Sequence, residues 1–302
     1  MAFAAFSTTA PTAQEAAPKR KSVIALVLLL PGILYLVLFF LVPLVSLVIT
    51  SFESQVDVGI YAYAFNWQNY TDSIAEYWPQ IIRSFVYAII ATVCALLISY
   101  PLAYFIGVKV RRWPLLQNLM VTLVIAPFFI SFLLRTLAWK QLLSDDSWIT
   151  STLKGLSILP PDAHLTGTAF SVIFGLTYNF IPFMTLPLYT TLERLDTRYI
   201  EAGSDLYASA WTTFRKVTIP LSMPGIVSGT LLTFIPAAGD YINASQDFLG
   251  GADTSMIGNV IESNFLVLQN YPTAAAMSIV LMVVILGIVG FYIKRSGTED
   301  LL

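Results

Sequence analysis

The stretch TLERLDTRYIEAGSDLYASAWTTFRKVTIPLSMP, residues 191–224, carries most of the information about the fold. It is too polar to cross a membrane, yet its pattern predicts two short helices. Asp196 can cap a first helix over residues 197–206, because its carboxylate accepts the free backbone N–H groups of the first turn. Ser209 can cap a second helix, and Pro220 is expected to end it. The apolar residues between the two helices form an exposed tip: Leu206, Tyr207 and Ala208.

A pair of short helices with an apolar tip has two physical interpretations. It can insert into a groove of another protein. It can equally lie flat on lipid headgroups, held there by Arg198, Arg215 and Lys216. The residues of this segment alone leave both interpretations open.

On both sides of this segment the chain is strongly apolar. Of its 302 residues, 57% are hydrophobic and only 11% are charged, whereas a soluble domain carries about 25% charged residues. This composition excludes a soluble globular protein, a nucleic-acid binder and a disordered chain, and the single Cys94 excludes an internal disulfide. A membrane-crossing helix needs about 20 apolar residues. Six windows of that length contain no Asp, Glu, Lys, Arg or His: 22–52, 84–108, 113–134, 165–192, 217–239 and 263–293.

The placement of basic residues gives the orientation, because cytoplasmic loops are enriched in Lys and Arg. With both termini in the cytoplasm, 12 of the 16 basic residues lie on the inside. The sequence therefore predicts an all-α integral membrane protein with six transmembrane helices and cytoplasmic termini. A six-span transmembrane domain at 22–295, which includes the polar segment 191–224, lies between cytoplasmic tails at 1–21 and 296–302.

Two external segments complete this topology. Residues 53–80 are rich in Tyr and Trp, which most often form an interfacial belt and less often dock a partner. Residues 141–164 contain Pro160 and Pro161 and are predicted to be a loop.

The polar segment resembles the EAA loop of permeases from binding-protein-dependent ABC importers. The loop's predicted position, cytoplasmic and two spans before the C-terminus, agrees with that family. Tyr207 departs from the family pattern, which usually has a glycine at this turn. The bend is therefore expected to use ordinary backbone angles or to fit a reshaped partner groove. Glu201, Ala202 and Pro220 match the family pattern, whereas Gly203 replaces an alanine, Val217 an isoleucine and Ile219 a leucine. The residues that carry the resemblance are Glu201-Ala202-Gly203, Asp205-Leu206-Tyr207-Ala208-Ser209, Phe214, Val217 and Ile219-Pro220-Leu221.

The resemblance implies the type I ABC importer permease fold and a multi-pass protein of a prokaryotic cytoplasmic membrane. It implies as partners a second permease subunit (giving a heterodimer), a dimeric ABC ATPase and an extracytoplasmic solute-binding protein, besides the membrane lipid. The chain has no Gly-x-x-x-x-Gly-Lys-[Ser/Thr] motif. ATP and Mg²⁺ are therefore expected on the ATPase, and this chain is expected to be neither an enzyme nor a metal protein. The implied coupling residues are Glu201, Ala202, Gly203, Asp205, Leu206, Tyr207 and Ala208.

Polar and charged groups at membrane depth indicate where a solute could pass, since they are costly there. Asp240 with Tyr241 and Asn243 could line a path for a cation, because carboxylates and aromatic faces attract positive charge. The alternative is that Asp240 and Arg135 pair across helices and stabilise the bundle. Trp139, Tyr178 and Asn179 complete the candidates, although Trp139 also fits an interface anchor.

Three segments resemble the spermidine/putrescine permeases: Arg135-Thr136-Leu137-Ala138-Trp139, residues 234–241 and residues 249–258. The resemblance implies an importer for polyamines, with another small solute as the alternative. Those permeases commonly have Glu-Phe where this chain has Asp240-Tyr241. An ion-coupled secondary transporter would need ionisable residues near the centres of the spans, where the windows have none. A membrane-embedded enzyme has little support, because His164 is isolated and no HExxH motif occurs.

Overall fold

The computed structural model describes residues 23–57 and 60–296, and these residues are mostly helical. The predicted tail at 1–21, with Lys19, Arg20 and Lys21, lies outside the described residues, as do residues 297–302 of the other tail. The described chain divides into two compact units, with the boundary between Leu47 and Val48.

The described residues of the first unit, 23–47, form a single apolar helical stretch. Helix α1 (Val23–Leu36) passes through a π-helical turn (Val37–Leu41) into α2 (Val42–Thr50), which crosses the unit boundary. The helical residues Val27–Thr50 are long and apolar enough to cross a membrane.

The second unit opens with a small β-hairpin. Strands β1 (Ser54–Asp57) and β2 (Ile60–Ala62) pair antiparallel, and α3 (Gln68–Tyr104) begins soon after them. The all-α prediction holds for the fold, and this hairpin within 53–80 is a local exception to it. β-Branched residues such as Val56 and Ile60 favour extended structure there.

The core of this unit lies between α3, α7 (Ala169–Glu193) and α11 (Met223–Ala238). Alanines on one face of α3 allow the close approach, because small side chains keep helix axes near one another. Larger buried side chains of α7, such as Leu176 and Leu188, fill the remaining space. A capping box between Thr168 and Ser171 begins α7. The buried alanines of α3 are Ala88, Ala91, Ala95 and Ala103.

The third predicted span is bent. Helix α4 (Pro114–Ile125) and a 3₁₀ turn (Ala126–Phe129) lead into α5 (Phe132–Leu143) at 93°. The predicted loop at 141–164 is wrong in part, since it contains α6 (Trp148–Gly155). Ser147 begins this helix by accepting the N–H of Thr150 at 3.1 Å.

The polar segment forms the predicted helical hairpin, with one correction. Helix α8 (Thr197–Asp205) is followed by α9 (Ala210–Thr213), a π-helical turn (Phe214–Thr218) and α10 (Ile219–Leu221). Pro220 does not end the helix. It lies at the beginning of α10, a position at which helices tolerate proline, and the chain bends instead at Ser222, by 65° into α11. Helices α12 (Ile257–Glu262) and α13 (Tyr271–Ser296) complete the described chain.

Four helical stretches of the described residues are long and apolar enough to cross a membrane, and two bent pairs pass the same test together. The structure is thus that of a multi-pass helical membrane protein with four to six spans. The four stretches are Val27–Thr50, Gln68–Lys109, Ala169–Glu193 and Tyr271–Arg295.

Candidate functional site

The first candidate site is the hairpin of α8 and α9. Both predicted caps are present, because Asp196 accepts the N–H of Arg198 at 3.0 Å and Ser209 accepts that of Thr212 at 3.2 Å. The helices approach so closely at Gly203 that an added Cβ would lie 2.7 Å from the hydroxyl oxygen of Thr213. A glycine therefore suits the position at which the family pattern has alanine.

The turn of the hairpin is left-handed at Tyr207. Its φ is +56°, and the N–H of Ala208 bonds to the carbonyl oxygen of Gly203 at 3.0 Å. This is the arrangement in which a glycine usually follows a helix C-terminus. The expectation of ordinary backbone angles at Tyr207 is therefore wrong, and tyrosine adopts the conformation that the family glycine provides.

The tip of the hairpin is exposed, and its base is anchored. Tyr207 is 99% exposed, and Leu206 also projects into solvent. Phe214 meets the rings of Tyr100 and Tyr104 edge-on, with ring centroids 5.5 and 5.8 Å apart. Edge-to-face contacts of this kind contribute beyond simple apolar burial. The hairpin is consequently attached to the end of α3.

The second candidate site is a buried polar network just beyond the end of α11. One carboxylate oxygen of Asp240 accepts the backbone N–H of Asn243 at 2.7 Å, and the other accepts its side-chain amide at 3.1 Å. Asn179 of α7 donates to the amide oxygen of Asn243 at 3.1 Å and to the hydroxyl of Thr136 at 3.0 Å. Asp240 is 7% exposed, and the other three side chains are fully buried.

The network unites three of the predicted path residues: Asp240, Asn243 and Asn179. Thr136 was not predicted, because a threonine in an apolar helix commonly bonds only to its own backbone. Thr136 does this too, donating to the carbonyl oxygen of Phe132 at 3.1 Å.

Arg135 does not join this network through an ion pair. It is 8% exposed, and among the described residues no carboxylate lies within 4.0 Å of its guanidinium group. Its Nε and Nη1 atoms have no hydrogen-bond partner there. The predicted pairing of Arg135 with Asp240 is therefore wrong for this structure. The guanidinium group instead lies 5.7 Å from the ring centroid of Phe132.

The remaining predicted path residues lie around the network. Trp139 packs edge-on against Phe174 and Tyr178, with ring centroids 4.6 and 5.2 Å apart. Tyr178 also borders an apolar cavity of about 310 Å³. The side chain of Tyr241 is exposed, and its carbonyl oxygen accepts from Asn259 at 2.7 Å.

A polar cavity of about 440 Å³ lies beside the network, past Ala244. Its lining includes the carboxylates of Asp247 and Glu262, the ring of Tyr77 and the amide of Asn259. Lys140 approaches this region but donates to the backbone oxygen of Asp247 at 2.8 Å. Sequence reasoning missed Asp247 and Glu262, since neither lies in a motif. In the described ranges no group of three His, Cys, Asp or Glu side chains could hold a metal ion.

Comparison with known proteins assigns the family. A model described as "Binding-protein-dependent transport system inner membrane component" matches residues 148–296. The spermidine/putrescine transport system permease protein PotB of Haemophilus influenzae is 36% identical over 263 residues, which cover 87% of this chain and 90% of the relative. This chain belongs to the family of binding-protein-dependent transport system inner membrane components.

Other members of this family agree. PotB of Escherichia coli K12 is 36% identical over 83% of this chain and 90% of its own length. The inner membrane ABC transporter permease protein YdcU of the same organism is 30% identical over 74% of this chain and 72% of its own length. As a family member, the chain is a multi-pass inner-membrane permease subunit of an ABC importer, and it is not an enzyme.

A solved structure of similar fold comes from a bacterial alginate ABC transporter in complex with an alginate pentasaccharide-bound periplasmic protein. One of its chains superimposes with a TM-score of 0.64 at 17% identity, covering 91% of this chain and 95% of that one. At this level of identity the likeness concerns the fold alone. It agrees with the predicted importer permease fold.

Proposed function

We propose that this chain is the permease subunit of an ATP-driven importer for polyamines such as spermidine and putrescine. The observation that carries the proposal is the 36% identity to PotB proteins over most of the chain. A polyamine is a flexible chain bearing several positive charges. The carboxylates of Asp240, Asp247 and Glu262, which have no basic side chain within 4.0 Å among the described residues, suit such a solute.

In this proposal each bent helix pair crosses the membrane once, which gives six spans with both termini in the cytoplasm. The charge distribution supports this orientation, because the hairpin and the turn after α3 carry most of the basic residues between spans. The tails 1–21 and 296–302 would flank the permease domain 22–295 on the cytoplasmic side. The membrane would be the cytoplasmic membrane of a prokaryote.

The hairpin would seat in a groove of a dimeric ABC ATPase, which would hold ATP and Mg²⁺. Its exposed apolar tip and its anchored base support this role. A push on Tyr207 would reach α3 through Phe214 and the tyrosines that it contacts. The residues proposed to contact the ATPase are Glu201, Ala202, Gly203, Asp205, Leu206, Tyr207 and Ala208.

The translocation path would pass the polar network. Asp240 is proposed to attract an ammonium group of the polyamine. The aromatic faces of Tyr241, Trp139 and Tyr178 are proposed to contact the hydrocarbon segments between its charges. Asn179 and Asn243 would hold the carboxylate in place, and Arg135 would set the local potential. A second permease subunit, forming a heterodimer with this chain, would supply the opposite wall, and an extracytoplasmic binding protein would deliver the solute.

Reconstitution tests the proposal. The chain, a companion permease, the ATPase and the binding protein are placed in liposomes with radiolabelled spermidine outside and ATP inside. We expect uptake that requires both ATP and the binding protein. Uptake without ATP would refute an ATP-driven importer. If the importer takes up a different solute with ATP but takes up neither spermidine nor putrescine, the polyamine assignment is refuted and the importer assignment stands.

A charge reversal tests the coupling role. Glu201→Lys should leave ATP hydrolysis running while uptake falls to background, because a lysine would repel a basic partner group. Asp162→Lys, the same change at an exposed residue outside the hairpin, is the control and should transport normally. Normal uptake by Glu201→Lys would contradict the coupling role.

A further inference from the structure

A cavity of about 630 Å³ lies between the end of α3 and the first helix of the hairpin. Its walls come from two sources that are distant in the sequence. Phe105 and Val108 lie in the π-helical turn Phe105–Lys109 that follows α3, Trp113 lies just before α4, and Ile200 and Glu201 belong to α8. The cavity therefore joins the hairpin to the membrane-spanning part of the chain.

The charges that line this cavity are unbalanced. Lys109 and Arg112 are basic, and Glu201 is the one carboxylate among the lining residues. In the part of the chain that the structure describes, none of the three forms an ion pair within 4.0 Å. The guanidinium group of Arg112 lies over the ring of Trp113, 4.2 Å from its centroid. A cation–π contact is not a hydrogen bond, so it leaves the N–H groups of Arg112 able to bind an anion.

The neighbouring Arg111 shows the contrast. Its guanidinium group donates to the carbonyl oxygen of Leu195 at 3.1 Å, and it does not line the cavity. The three basic residues of this turn thus divide into one that holds the backbone of the hairpin and two that face an open space. Enrichment of basic residues on the cytoplasmic side explains their presence in this turn, but a bound anion would in addition give both of these cations a partner inside the cavity.

The ligand must also have an apolar part. Phe105 and Trp113 expose 47% and 51% of their surface beside the cavity, and tryptophan at this depth is typical of the boundary between lipid tails and headgroups. A ligand with an anionic group attached to a hydrocarbon chain would match both the basic and the aromatic residues that line the cavity. Basic pockets between transmembrane helices on the cytoplasmic side commonly bind anionic headgroups.

We propose that this cavity binds the phosphate headgroup of an anionic glycerophospholipid of the cytoplasmic leaflet, with Lys109 and Arg112 holding the phosphate and Phe105 and Trp113 contacting its chains. The bound lipid would connect the end of α3 to α8 and hold the hairpin in one orientation. The leaflet and any effect on ATP hydrolysis rest on the proposed function, whereas lipid binding itself does not.

Lipid binding to the purified importer, complete with its ATPase, tests the proposal. Titration with phosphatidylglycerol in phosphatidylcholine nanodiscs, followed by native mass spectrometry, gives an apparent dissociation constant. Each basic residue near an anionic lipid surface contributes a few-fold in affinity, so Lys109→Gln with Arg112→Gln should weaken binding about tenfold. If the bound lipid holds the hairpin in the orientation that engages the ATPase, phosphatidylglycerol should also raise the rate of ATP hydrolysis by the parent and not by this double variant.

A matched control removes the same charges elsewhere in the chain. Lys294 and Arg295 are exposed and do not line the cavity, so Lys294→Gln with Arg295→Gln should bind phosphatidylglycerol like the parent. Equal weakening by both double variants would mean general surface attraction and would overturn the proposal. Inorganic phosphate that competes as strongly as the lipid would overturn the lipid as ligand.

One further outcome separates a lipid from a protein ligand. If Lys109→Gln with Arg112→Gln releases the ATPase while phosphatidylglycerol binding is unchanged, the cavity receives an acidic segment of the ATPase, and the lipid proposal is wrong. If Lys109→Gln with Arg112→Gln loses transport while phosphatidylglycerol binding is unchanged, the cavity is not the lipid site, and the proposed function is unaffected.

Discussion

The buried contact between Asp240 and Asn243 can be tested by one isosteric change, Asn243→Asp. In the parent chain the amide nitrogen of Asn243 donates to a carboxylate oxygen of Asp240 at 3.1 Å. The substitution replaces that donor with a carboxylate oxygen at almost the same place. Two like charges then face one another at a site where Asn243 is fully buried and Asp240 is 7% exposed.

The size of the effect follows from the distance. Two unit charges about 3 Å apart repel by about 5 kcal/mol at an effective dielectric constant of about 20, and the lost hydrogen bond adds about 1 kcal/mol. The bond from Asn179 to the amide oxygen of Asn243 can persist, because a carboxylate still accepts it. We expect destabilisation close to the whole stability of a small domain.

Thermal unfolding of the purified chain in detergent measures this effect. The control is Asn259→Asp, the same change at a partly exposed amide that donates to the carbonyl oxygen of Tyr241 at 2.7 Å. It places no second carboxylate against Asp240, so its unfolding temperature should fall much less. If Asn243→Asp unfolds at the temperature of the parent, Asp240 carries a proton in the folded chain and the proposed attraction of a cation fails.

Three further predictions concern transport and the backbone. Asp240→Asn should lower polyamine uptake at least tenfold with normal assembly by size-exclusion chromatography, since it removes the charge and keeps the shape; unchanged uptake kinetics would return Asp240 to a structural role. Tyr207→Val should speed hydrogen exchange across the hairpin, because a β-branched residue at φ +56° costs about 1–2 kcal/mol, whereas Tyr207→Gly should slow it; equal exchange in both would contradict the left-handed turn. Gly250→Ala should unfold the loop after α11, because its Cβ would overlap the carbonyl oxygen of Ala244, while Gly287→Ala meets nothing within 4 Å and should be tolerated in a melting experiment.

Local rules predicted the hairpin well, because its signals lie within a few residues of one another. The caps at Asp196 and Ser209 are where the sequence places them, and α8 ends within one residue of the prediction. The error at Pro220 has a local cause as well. A π-helical turn over Phe214–Thr218 shifts the helix so that the proline lies at the beginning of a new turn rather than at an end.

The buried network could be predicted only in part. Polarity at membrane depth singles out Asp240, Asn243 and Asn179 one by one. Their contacts depend on the packing of α7 against the loop after α11. Asn179 and Asn243 are 64 residues apart in the sequence, and Asn179 and Thr136 are 43 residues apart. The periodicity of apolar residues within a helix does not indicate which distant side chains come into contact. The 93° bend after α4 is missed for a similar reason, since a charge-free window gives length and not direction.

The position of Ser222 links the two candidate sites. The chain bends there between the hairpin and α11, and the Ser222 hydroxyl bonds to that of Tyr100 at 2.7 Å. Tyr100 also contacts Phe214, so the same residue of α3 holds both the hairpin and the bend.

At the other end of α11 stands Asp240, about 18 residues or 27 Å further along at 1.5 Å per residue. A small rotation of α11 about Ser222 would therefore move Asp240 by several ångströms relative to α7. The bond between Asn179 of α7 and Asn243 is 3.1 Å long and cannot survive such a shift. If the hairpin is the coupling element proposed above, its motion has a mechanical route to the bond between Asn179 and Asn243, and we expect this bond to break and re-form in each transport cycle.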